Sequence, residues 1–385
     1  MPILNRAYEL QDEIAAWRRR LHANPEINYD VFDTAAFVAE KLREFGCDEV
    51  VEGIGRTGVV GVIAGRGEGP TLGLRADMDA LPMIETTGLP HASTRPGAMH
   101  ACGHDGHTAM LLGAARHLAE TRNFNGRVAV IFQPAEEGGA GGLAMVKDGM
   151  MDRFAIRQVY GLHNLPGLPV GTFAIRSGAI MASTDEFNIT VAGKGAHAAF
   201  PHQGVDPVVA GAQIVVALQT IAARNADPLD AMVVSTTMFH AGSAFNVIPG
   251  EAELTGTLRS LKPETRALGL KRIEEVAKGV AAALGAEARV HIRHGYPVTV
   301  NHGAETQVAA GVAADVAGDI NVDADFRPTM GGEDFSYMLQ ARPGAFIFMG
   351  NGDSAPLHNT NYDFNDDAIP HGVSYWVRLV ETALA

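Results

Sequence analysis

The sequence predicts an α/β protein in which a large domain with a mixed, largely parallel sheet is interrupted by a small inserted α+β domain. Helix-like and strand-like segments alternate up to about residue 180 and again after residue 297, which is the pattern of a layered domain. Between them, two long helix-like and about four strand-like segments suit an antiparallel sheet covered on one face. We therefore expect one domain from residues 1–180 and 297–385, and an inserted domain from residues 181–296.

The elements of the large domain follow from hydrophobic spacing. Apolar residues recur at helical spacing in two early segments that end at Pro or Gly, LQDEIAAWRRRLHANP and DTAAFVAEKLREFG. Short apolar runs predict five strands, TGVVGVIAG, TLGLRADMDA, GRVAVIFQPAEE, VYGLHN and GTFAIRSG. The helical run HTAMLLGAARHLAE lies between the second and third of these, and GVSYWVRLVETALA predicts a C-terminal helix.

The inserted domain has a different pattern. DEFNITVAGKGAH alternates like a half-exposed strand, and DPVVAGAQIVVALQTIAARN predicts a long helix. A second long helix is expected at about residues 263–284. The remaining strand-like segments are AMVVSTTMFHAG, AFNVIPGEAELTGTLRS and ARVHIRHGYPV.

Composition narrows the classes of function. The 385-residue chain has a formal net charge of −14, which disfavours nucleic acid and anionic membranes because both attract basic surfaces. Charged residues occupy the N-terminal segment where a signal peptide has its apolar core, and we expect no apolar run near the ~20 residues of a membrane span. The two cysteines, Cys47 and Cys102, make no disulfide framework. We therefore expect a cytoplasmic protein that binds neither nucleic acid nor membranes.

Residues 100–107, HACGHDGH, place three histidines, a cysteine and an aspartate in eight positions. Further acidic residues and histidines follow strand-like segments or lie in a polar loop: Asp77, Asp79, Glu136, Glu137, His163 and His358. Because ligand sites in open α/β sheets gather at the carboxyl ends of strands, these side chains are expected to converge. These candidate ligands are more numerous than one closed four-coordinate site needs. The surplus favours two metal ions, or one ion with a catalytic acid beside it.

Two other functions are compatible with part of this set. A cysteine hydrolase would use Cys102 as nucleophile, activated by His104 or His107, but it leaves the Glu pair and the later histidines unexplained. A structural or storage metal site is a non-catalytic alternative. Such sites prefer closed Cys/His sets, and the carboxylates here favour an open, catalytic site.

Eight motifs occur in order along nearly the whole chain: RADMDALP, HACGHDGH, QPAEEGGAGG, GLHN, GKGAHAAFPHQGVDP, NVIPGEAELTGTLR, MGGEDFSYM and LHN. Together they resemble the aminoacylase/carboxypeptidase family of di-metal amidohydrolases, in its branch of hippurate hydrolases and N-acyl-L-amino-acid amidohydrolases. The resemblance implies a zinc-peptidase-like catalytic domain. It also implies that the inserted domain is ferredoxin-like and acts as a lid and dimerisation domain.

By motif, the resemblance implies two divalent ions per subunit (Zn, Mn, Co or Ni), held by Cys102, His104, Glu137, His163 and His358. It implies that Glu136 is the general base and that the carboxylate of Asp79 orients a ligand histidine. One position departs from the pattern. Peptidases of the family have a ligand histidine where this chain has Asp77, and Cys102, which they lack, takes over that role. Asp77 is therefore not expected to be a ligand, and His100 and His107 are expected to be structural or to support the ligands.

The implied reaction is hydrolysis of an N-acyl-L-amino acid, such as hippurate, with a metallo-dipeptidase or carboxypeptidase activity as the alternative. The resemblance also implies that Asn246 and Arg259, assisted by the backbone of Gly331 and Gly332, hold the substrate's carboxylate. His197 is expected to reach across a two-fold axis and stabilise the oxyanion in the partner subunit's site. This requires a homodimer formed through the inserted domain, or a tetramer.

Overall fold

The computed structural model describes residues 3–385, which divide into two compact units. The first unit runs to Ile180 and resumes in Val300–Arg327 and Asp334–Ala385. The second unit comprises Met181–Thr299 and Pro328–Glu333.

These units differ from the expected domains in two places. Residues 297–299 and 328–333, which we expected in the large domain, belong to the second unit. The Ala182 N–H donates to the Gly331 carbonyl at 2.8 Å, and this backbone pairing joins the later segment to the second unit. Gly331 and Gly332 therefore belong to the same unit as the other predicted substrate-binding residues.

The described residues contain eleven α-helices: α1 (Asn5–Glu9), α2 (Gln11–Ala23), α3 (Phe32–Glu44), α4 (His104–Thr121), α5 (Gly141–Lys147), α6 (Met150–Arg153), α7 (Pro207–Thr220), α8 (Pro263–Ala283), α9 (Gly303–Ala317), α10 (Ser336–Ala341) and α11 (Ile369–Ala383). They also contain sixteen strands: β1 (Glu49–Ile54), β2 (Gly58–Ala64), β3 (Gly67–Asp77), β4 (Asn125–Gln133), β5 (Ile156–Leu165), β6 (Phe173–Ala174), β7 (Gly178–Met181), β8 (Ser183–Ala192), β9 (Ala196–His197), β10 (Met232–Ala241), β11 (Val247–Ile248), β12 (Glu251–Ser260), β13 (Glu287–His294), β14 (Thr299–Asn301), β15 (Val322–Asp323) and β16 (Gly344–Gly350).

Eight strands of the first unit form one mixed sheet in the order β1-β2-β4-β3-β5-β16-β6-β15. The central strands β4, β3, β5 and β16 are mutually parallel, and antiparallel pairs lie toward the edges. Helices α2, α4, α9 and α11 pack together and bury their apolar faces in the main core with these strands. The mixed, largely parallel sheet that the sequence predicts is confirmed.

The second unit has the element order β8-α7-β10-β12-α8-β13 and an antiparallel sheet in the order β10-β12-β8-β13. Buried and more exposed residues alternate along β8 and β12, because α7 and α8 cover only one face of the sheet. This is the split βαβ arrangement of ferredoxin-like units, as expected. A separate two-stranded ribbon pairs β9 with β11.

One segment of the second unit contradicts the expectation about apolar length. Pro207–Asn225, which is α7 with the π-helical turn that follows it, is long and apolar enough to cross a membrane by length and composition. Its buried residues Ala210, Ile214 and Leu218 recur every four positions and pack in the core of the second unit. Packing in the core of the second unit therefore explains why one face of this helix is apolar.

Candidate metal centre

The carboxyl ends of neighbouring parallel strands bring the predicted acidic residues and histidines to one edge of the large sheet. β3 ends at Asp77 and β4 at Gln133, and these two residues are paired in the register of the strands. Glu136 and Glu137 follow β4 directly, and His163 lies near the end of β5, the other neighbour of β3. The side chains converge where ligand sites form in sheets of this type.

The HACGHDGH segment is part loop and part helix. α4 begins at His104, three residues earlier than the helical run that the sequence predicted. Gly103 precedes it with a left-handed backbone (φ +91°), and a Cβ at this position would lie 2.3 Å from Oδ1 of Asn164. His104 and His107 therefore project from the first turn of one helix, three positions apart on the same face.

The five predicted ligands come together as two groups that share Cys102. One group is Cys102, His104 and His163; the other is Cys102, Glu137 and His358; the ligand atoms of each lie within 4.8 Å of one another. The Cys102 Sγ is 3.4 Å from Nε2 of His163, and Oε1 of Glu137 is 3.3 Å from Nε2 of His358. The sulfur of Cys102 thus joins two candidate metal positions.

Hydrogen bonds orient the ligand histidines with Nε2 toward the centre. The Nδ1–H of His104 donates to the Asp79 carbonyl (2.8 Å), and that of His163 donates to the Asn164 carbonyl (2.6 Å). Burial lowers the pKa of His163 well below its usual value, so this ring is neutral, as a metal ligand must be. Among the described residues, Nε2 of His104 is buried without a hydrogen-bond partner, which fits a ligand atom that faces a cation.

The centre carries an excess of negative charge. Burial raises the pKa of the Cys102 thiol well above its usual value, and the carboxylate of Glu137 raises it further. Burial alone lowers the pKa of His104, but Asp77 and Asp79 outweigh it and raise this pKa to about 10. A divalent cation would neutralise this charge, and its binding would remove the thiol proton.

The carboxylate of Asp79 holds the backbone of the Glu pair. The Glu136 N–H donates to its Oδ1 (2.9 Å) and the Glu137 N–H to its Oδ2 (3.1 Å). Oδ1 of this carboxylate lies 3.6 Å from Nδ1 of His104. The shorter contact of Nδ1 is with the Asp79 backbone carbonyl, which accepts the hydrogen bond that orients His104. Ala135, directly before the pair, has a left-handed φ of 54°, a conformation that surrounding contacts must hold in a residue other than glycine.

His358 is the most open of the predicted ligands. Its side chain is 54% exposed, and its backbone is also left-handed, with a φ of 61°. The His358 N–H donates to the Ala101 carbonyl at 2.8 Å, which fixes this loop beside Cys102. A hydrogen bond with Glu137 raises the pKa of His358 above its usual value. Solvent therefore reaches the centre on the side of His358.

Asp77 is fully buried and has other partners. Nη1 of Arg75 donates to its Oδ2 at 2.6 Å, and Nδ1 of His107 lies 2.6 Å from its Oδ1. Arg75 also binds Gln133 (2.9 Å) and Asp334 (3.1 Å). Both carboxylate oxygens of Asp77 have hydrogen-bond partners, although its ligand atoms also lie within 4.8 Å of those of His104 and His107. Sequence reasoning had not identified Arg75 as part of this environment.

In the second unit, His197 and Asn246 lie at one end of the β9–β11 ribbon. Both residues are exposed, and the Ala198 N–H donates to the Asn246 carbonyl at 3.0 Å. Nδ1 of His197 accepts the Ala199 N–H (3.1 Å), so Nε2 is the ring nitrogen that remains for another contact. The ribbon therefore presents these two side chains to the surroundings of the unit.

Arg259 and Gly332 form a second cluster within the same unit. Nε of Arg259 donates to Oγ1 of Thr257 (3.2 Å), and a Cβ on Gly332 would lie 3.6 Å from Nη1 of Arg259. Burial lowers the pKa of Arg259 from its usual value. Gly331 is next to this cluster and is exposed. A half-buried guanidinium beside accessible glycine backbone is suited to a carboxylate.

Comparison with known proteins decides the family. Residues 73–382 match peptidase family M20/M25/M40. The chain belongs to this family. Hippurate hydrolase of Campylobacter jejuni subsp. jejuni is 42% identical, over 98% of this chain and 98% of that protein. N-acetyl-L-cysteine deacetylase of Bacillus subtilis is 41% identical, over 94% of this chain and 85% of that protein.

A solved structure agrees with this assignment. The YXEP protein of Bacillus subtilis, a dinuclear metal binding peptidase from the M20 family, is 34% identical and superimposes with a TM-score of 0.84, over 98% of this chain and 99% of that chain. The resemblance inferred from the eight motifs is confirmed, and so is the fold class. As a member of the M20 family with such relatives, the chain is an amidohydrolase that acts on small molecules.

Proposed function

We propose that this M20 amidohydrolase cleaves N-acyl-L-amino acids, hippurate among them, to a carboxylic acid and a free amino acid, with two divalent ions bound. Support for this substrate class comes from the hippurate hydrolase and the N-acetyl-L-cysteine deacetylase among its relatives. The observation that carries the proposal is the pair of ligand groups sharing Cys102 in a buried, negatively charged centre.

The ligand atoms for the two ions are those of Cys102, His104, Glu137, His163 and His358. Bound divalent ions supply Lewis-acid polarisation of the amide carbonyl and acidify a water molecule. The thiolate favours zinc, whereas carboxylate and imidazole also accommodate manganese, cobalt or nickel.

Glu136 is the proposed general base. Its carboxylate oxygen lies in one group with His104 and Glu137, and Asp79 fixes its backbone. From this place, Glu136 takes the proton of the attacking water and gives it to the leaving amine. Asp79 supports the reaction in two ways. Its backbone carbonyl orients His104, and its carboxylate holds the turn that carries Glu136.

The second unit is the proposed source of substrate recognition. Arg259, with Asn246 and the backbone of Gly331 and Gly332, binds the carboxylate that marks the substrate as an amino acid derivative. The half-buried position of Arg259 supports this role, because desolvation strengthens a charge-assisted hydrogen bond.

A homodimer formed through the second unit, or a tetramer built from such dimers, is the proposed assembly. His197 then donates from Nε2 to the oxyanion in the partner subunit's site. Its exposure on the ribbon supports a contact outside its own unit, and exposed apolar residues such as Val209 and Val216 on α7 offer surface for association. The absence of nucleic acid and membrane partners is also proposed, and the net charge of −14 supports it. A cytoplasmic location is part of the same proposal.

The alternatives differ in what they require of Cys102 and of the substrate. A nucleophilic cysteine needs a lowered pKa, whereas burial raises the pKa of Cys102, which disfavours a cysteine hydrolase. A dipeptidase or carboxypeptidase activity is the second candidate, since the YXEP relative is a peptidase. The substrates of such a peptidase also end in a carboxylate and differ in the acyl group on the amide nitrogen, which is an aminoacyl group.

A substrate panel tests the proposal. The enzyme is assayed with N-benzoylglycine, with N-benzoylglycinamide and with glycylglycine, each at equal concentration. We expect rapid cleavage of the acid, little cleavage of the amide and little cleavage of the dipeptide. Preferred cleavage of the dipeptide would assign the chain to the peptidase alternative. Equal cleavage of acid and amide would contradict recognition of the carboxylate.

A further inference from the structure

A buried chain of polar contacts runs beside the candidate metal centre. Arg75 donates to Asp77 (2.6 Å), and the other oxygen of Asp77 is 2.6 Å from Nδ1 of His107. Nε2 of His107 is 2.7 Å from Oδ1 of Asn164, and Nδ2 of Asn164 donates to the hydroxyl of Tyr362 at 2.5 Å. All five residues are at most 2% exposed. None of them belongs to the five proposed ligands.

Each of the last four members lies close in sequence to a residue of the proposed metal centre. The pairs are Asp77 with Asp79, His107 with His104, Asn164 with His163, and Tyr362 with His358. The four pairs are on four separate segments, namely the end of β3, the first turn of α4, the end of β5 and the loop after β16. The contacts therefore connect the end of β3 with the segments that present His104, His163 and His358.

The loop that carries Cys102 contacts the same chain of residues, whereas Glu137 lies on a segment outside it. Gly103 follows Cys102, and a Cβ on Gly103 would lie 2.3 Å from Oδ1 of Asn164 and 2.6 Å from the hydroxyl of Tyr362. The loop with Cys102 thus packs directly against these two side chains. Any side chain at position 103 would displace either the loop or the polar contacts.

We propose that Asp77, His107, Asn164 and Tyr362 are positioning residues that hold the ligand-bearing segments in their binding arrangement before any ion binds. Arg75 compensates the buried charge of Asp77, and the other carboxylate oxygen of Asp77 contacts His107. This inference rests on the proposed function, since it concerns the ligands assigned there. Its physical basis is that ligands ordered in advance lose less conformational entropy when the ion arrives.

The test uses a pair of single-atom deletions in the metal-free, full-length protein. Tyr362→Phe removes the hydroxyl at the end of the network, and Tyr375→Phe removes a buried hydroxyl on α11 that has no hydrogen-bond partner among residues 3–385. Both tyrosines are fully buried, so the two changes have matched size and burial. His107→Gln is a further variant that interrupts the network at its centre. Affinity for Co²⁺ is measured by competition with a chromogenic chelator, together with the thiolate–Co²⁺ absorption spectrum and the thermal midpoint of the metal-free protein.

We expect Tyr362→Phe and His107→Gln to weaken Co²⁺ binding by about 10- to 100-fold and to change the thiolate–Co²⁺ spectrum. Tyr375→Phe should leave both readouts at the wild-type values. If Tyr362→Phe and His107→Gln keep the wild-type Co²⁺ affinity and spectrum, the inference is overturned. A lower thermal midpoint alone would show only that these residues stabilise the fold. Equal weakening in Tyr375→Phe would overturn it too. If the wild type binds fewer than two ions per chain, the ligand assignment itself fails, and the inference fails with it.

Discussion

The two units hold their predicted functional residues in opposite environments. In the first unit, most of the predicted ligands are buried, and neighbouring groups already orient the ligand histidines. In the second unit, His197 and Asn246 are exposed on a short ribbon, and Arg259 is half-buried beside Gly332. The first unit therefore holds its predicted ligands largely within its own structure, whereas the second unit presents its predicted residues at exposed or half-buried positions.

The largest effect is expected for the general base of the first unit. Glu136→Gln removes the proton acceptor but keeps the shape of the side chain, and turnover should fall by about 10⁴-fold. The metal content should stay at the wild-type value because Glu136 is not among the proposed ligands. Turnover and elemental analysis of the same preparation check this result, and loss of metal together with activity would make Glu136 a ligand.

A smaller loss is expected for the exposed histidine of the second unit. His197→Ala should lower turnover by about 10²-fold, the value typical of one oxyanion donor, without loss of metal or fold. Refolding equal amounts of His197→Ala and Glu136→Gln chains together gives about half mixed dimers, each with one intact site, and about a quarter of wild-type activity. Two inactive variants that stay inactive after verified heterodimer formation would show that His197 does not act on the partner subunit's site.

A still smaller effect, confined to substrate binding, is expected for the arginine. Arg259→Ala should raise KM for N-benzoylglycine by about 10- to 100-fold, since it removes a charge-assisted hydrogen bond. Arg289→Ala changes an exposed arginine on β13 of the same sheet and is the matched control, with an unchanged KM. Steady-state kinetics of both variants give the two KM values. Equal KM values would show that Arg259 does not bind the substrate's carboxylate.

The convergence of several candidate side chains could be predicted from sequence because it depends on strand ends, whereas the choice of five ligands came from the family resemblance and stays a prediction. Asp79, Glu137 and His163 follow apolar runs, and parallel strands bring such ends together whatever the details of packing. The start of α4 could not be predicted in this way, because it depends on the left-handed backbone of Gly103 and on close packing with Asn164.

The positioning network was missed for a related reason. Its members, apart from Arg75 and Asp77 on one face of β3, are distant in sequence and meet only after the sheet has formed. One local signal was present, since His104 and His107 are three positions apart and share a helix face once α4 is known to begin at His104. The placement of the segment 328–333 differs from the expected domain because it depends on contacts between residues distant in sequence, such as the pairings of Ala182 with Gly331 and of Met181 with Thr329.

Metal removal tests the central claim that five residues of one unit hold two ions on which catalysis depends. Elemental analysis of the wild type should give about two divalent ions per chain, and exhaustive chelation should remove both ions and the activity, which returns when an ion is added back. Cys102→Ser should lower the content of both ions because the sulfur belongs to both ligand groups, while Cys47→Ser, the other free cysteine, should leave it unchanged. Activity that survives complete removal of metal would contradict the account.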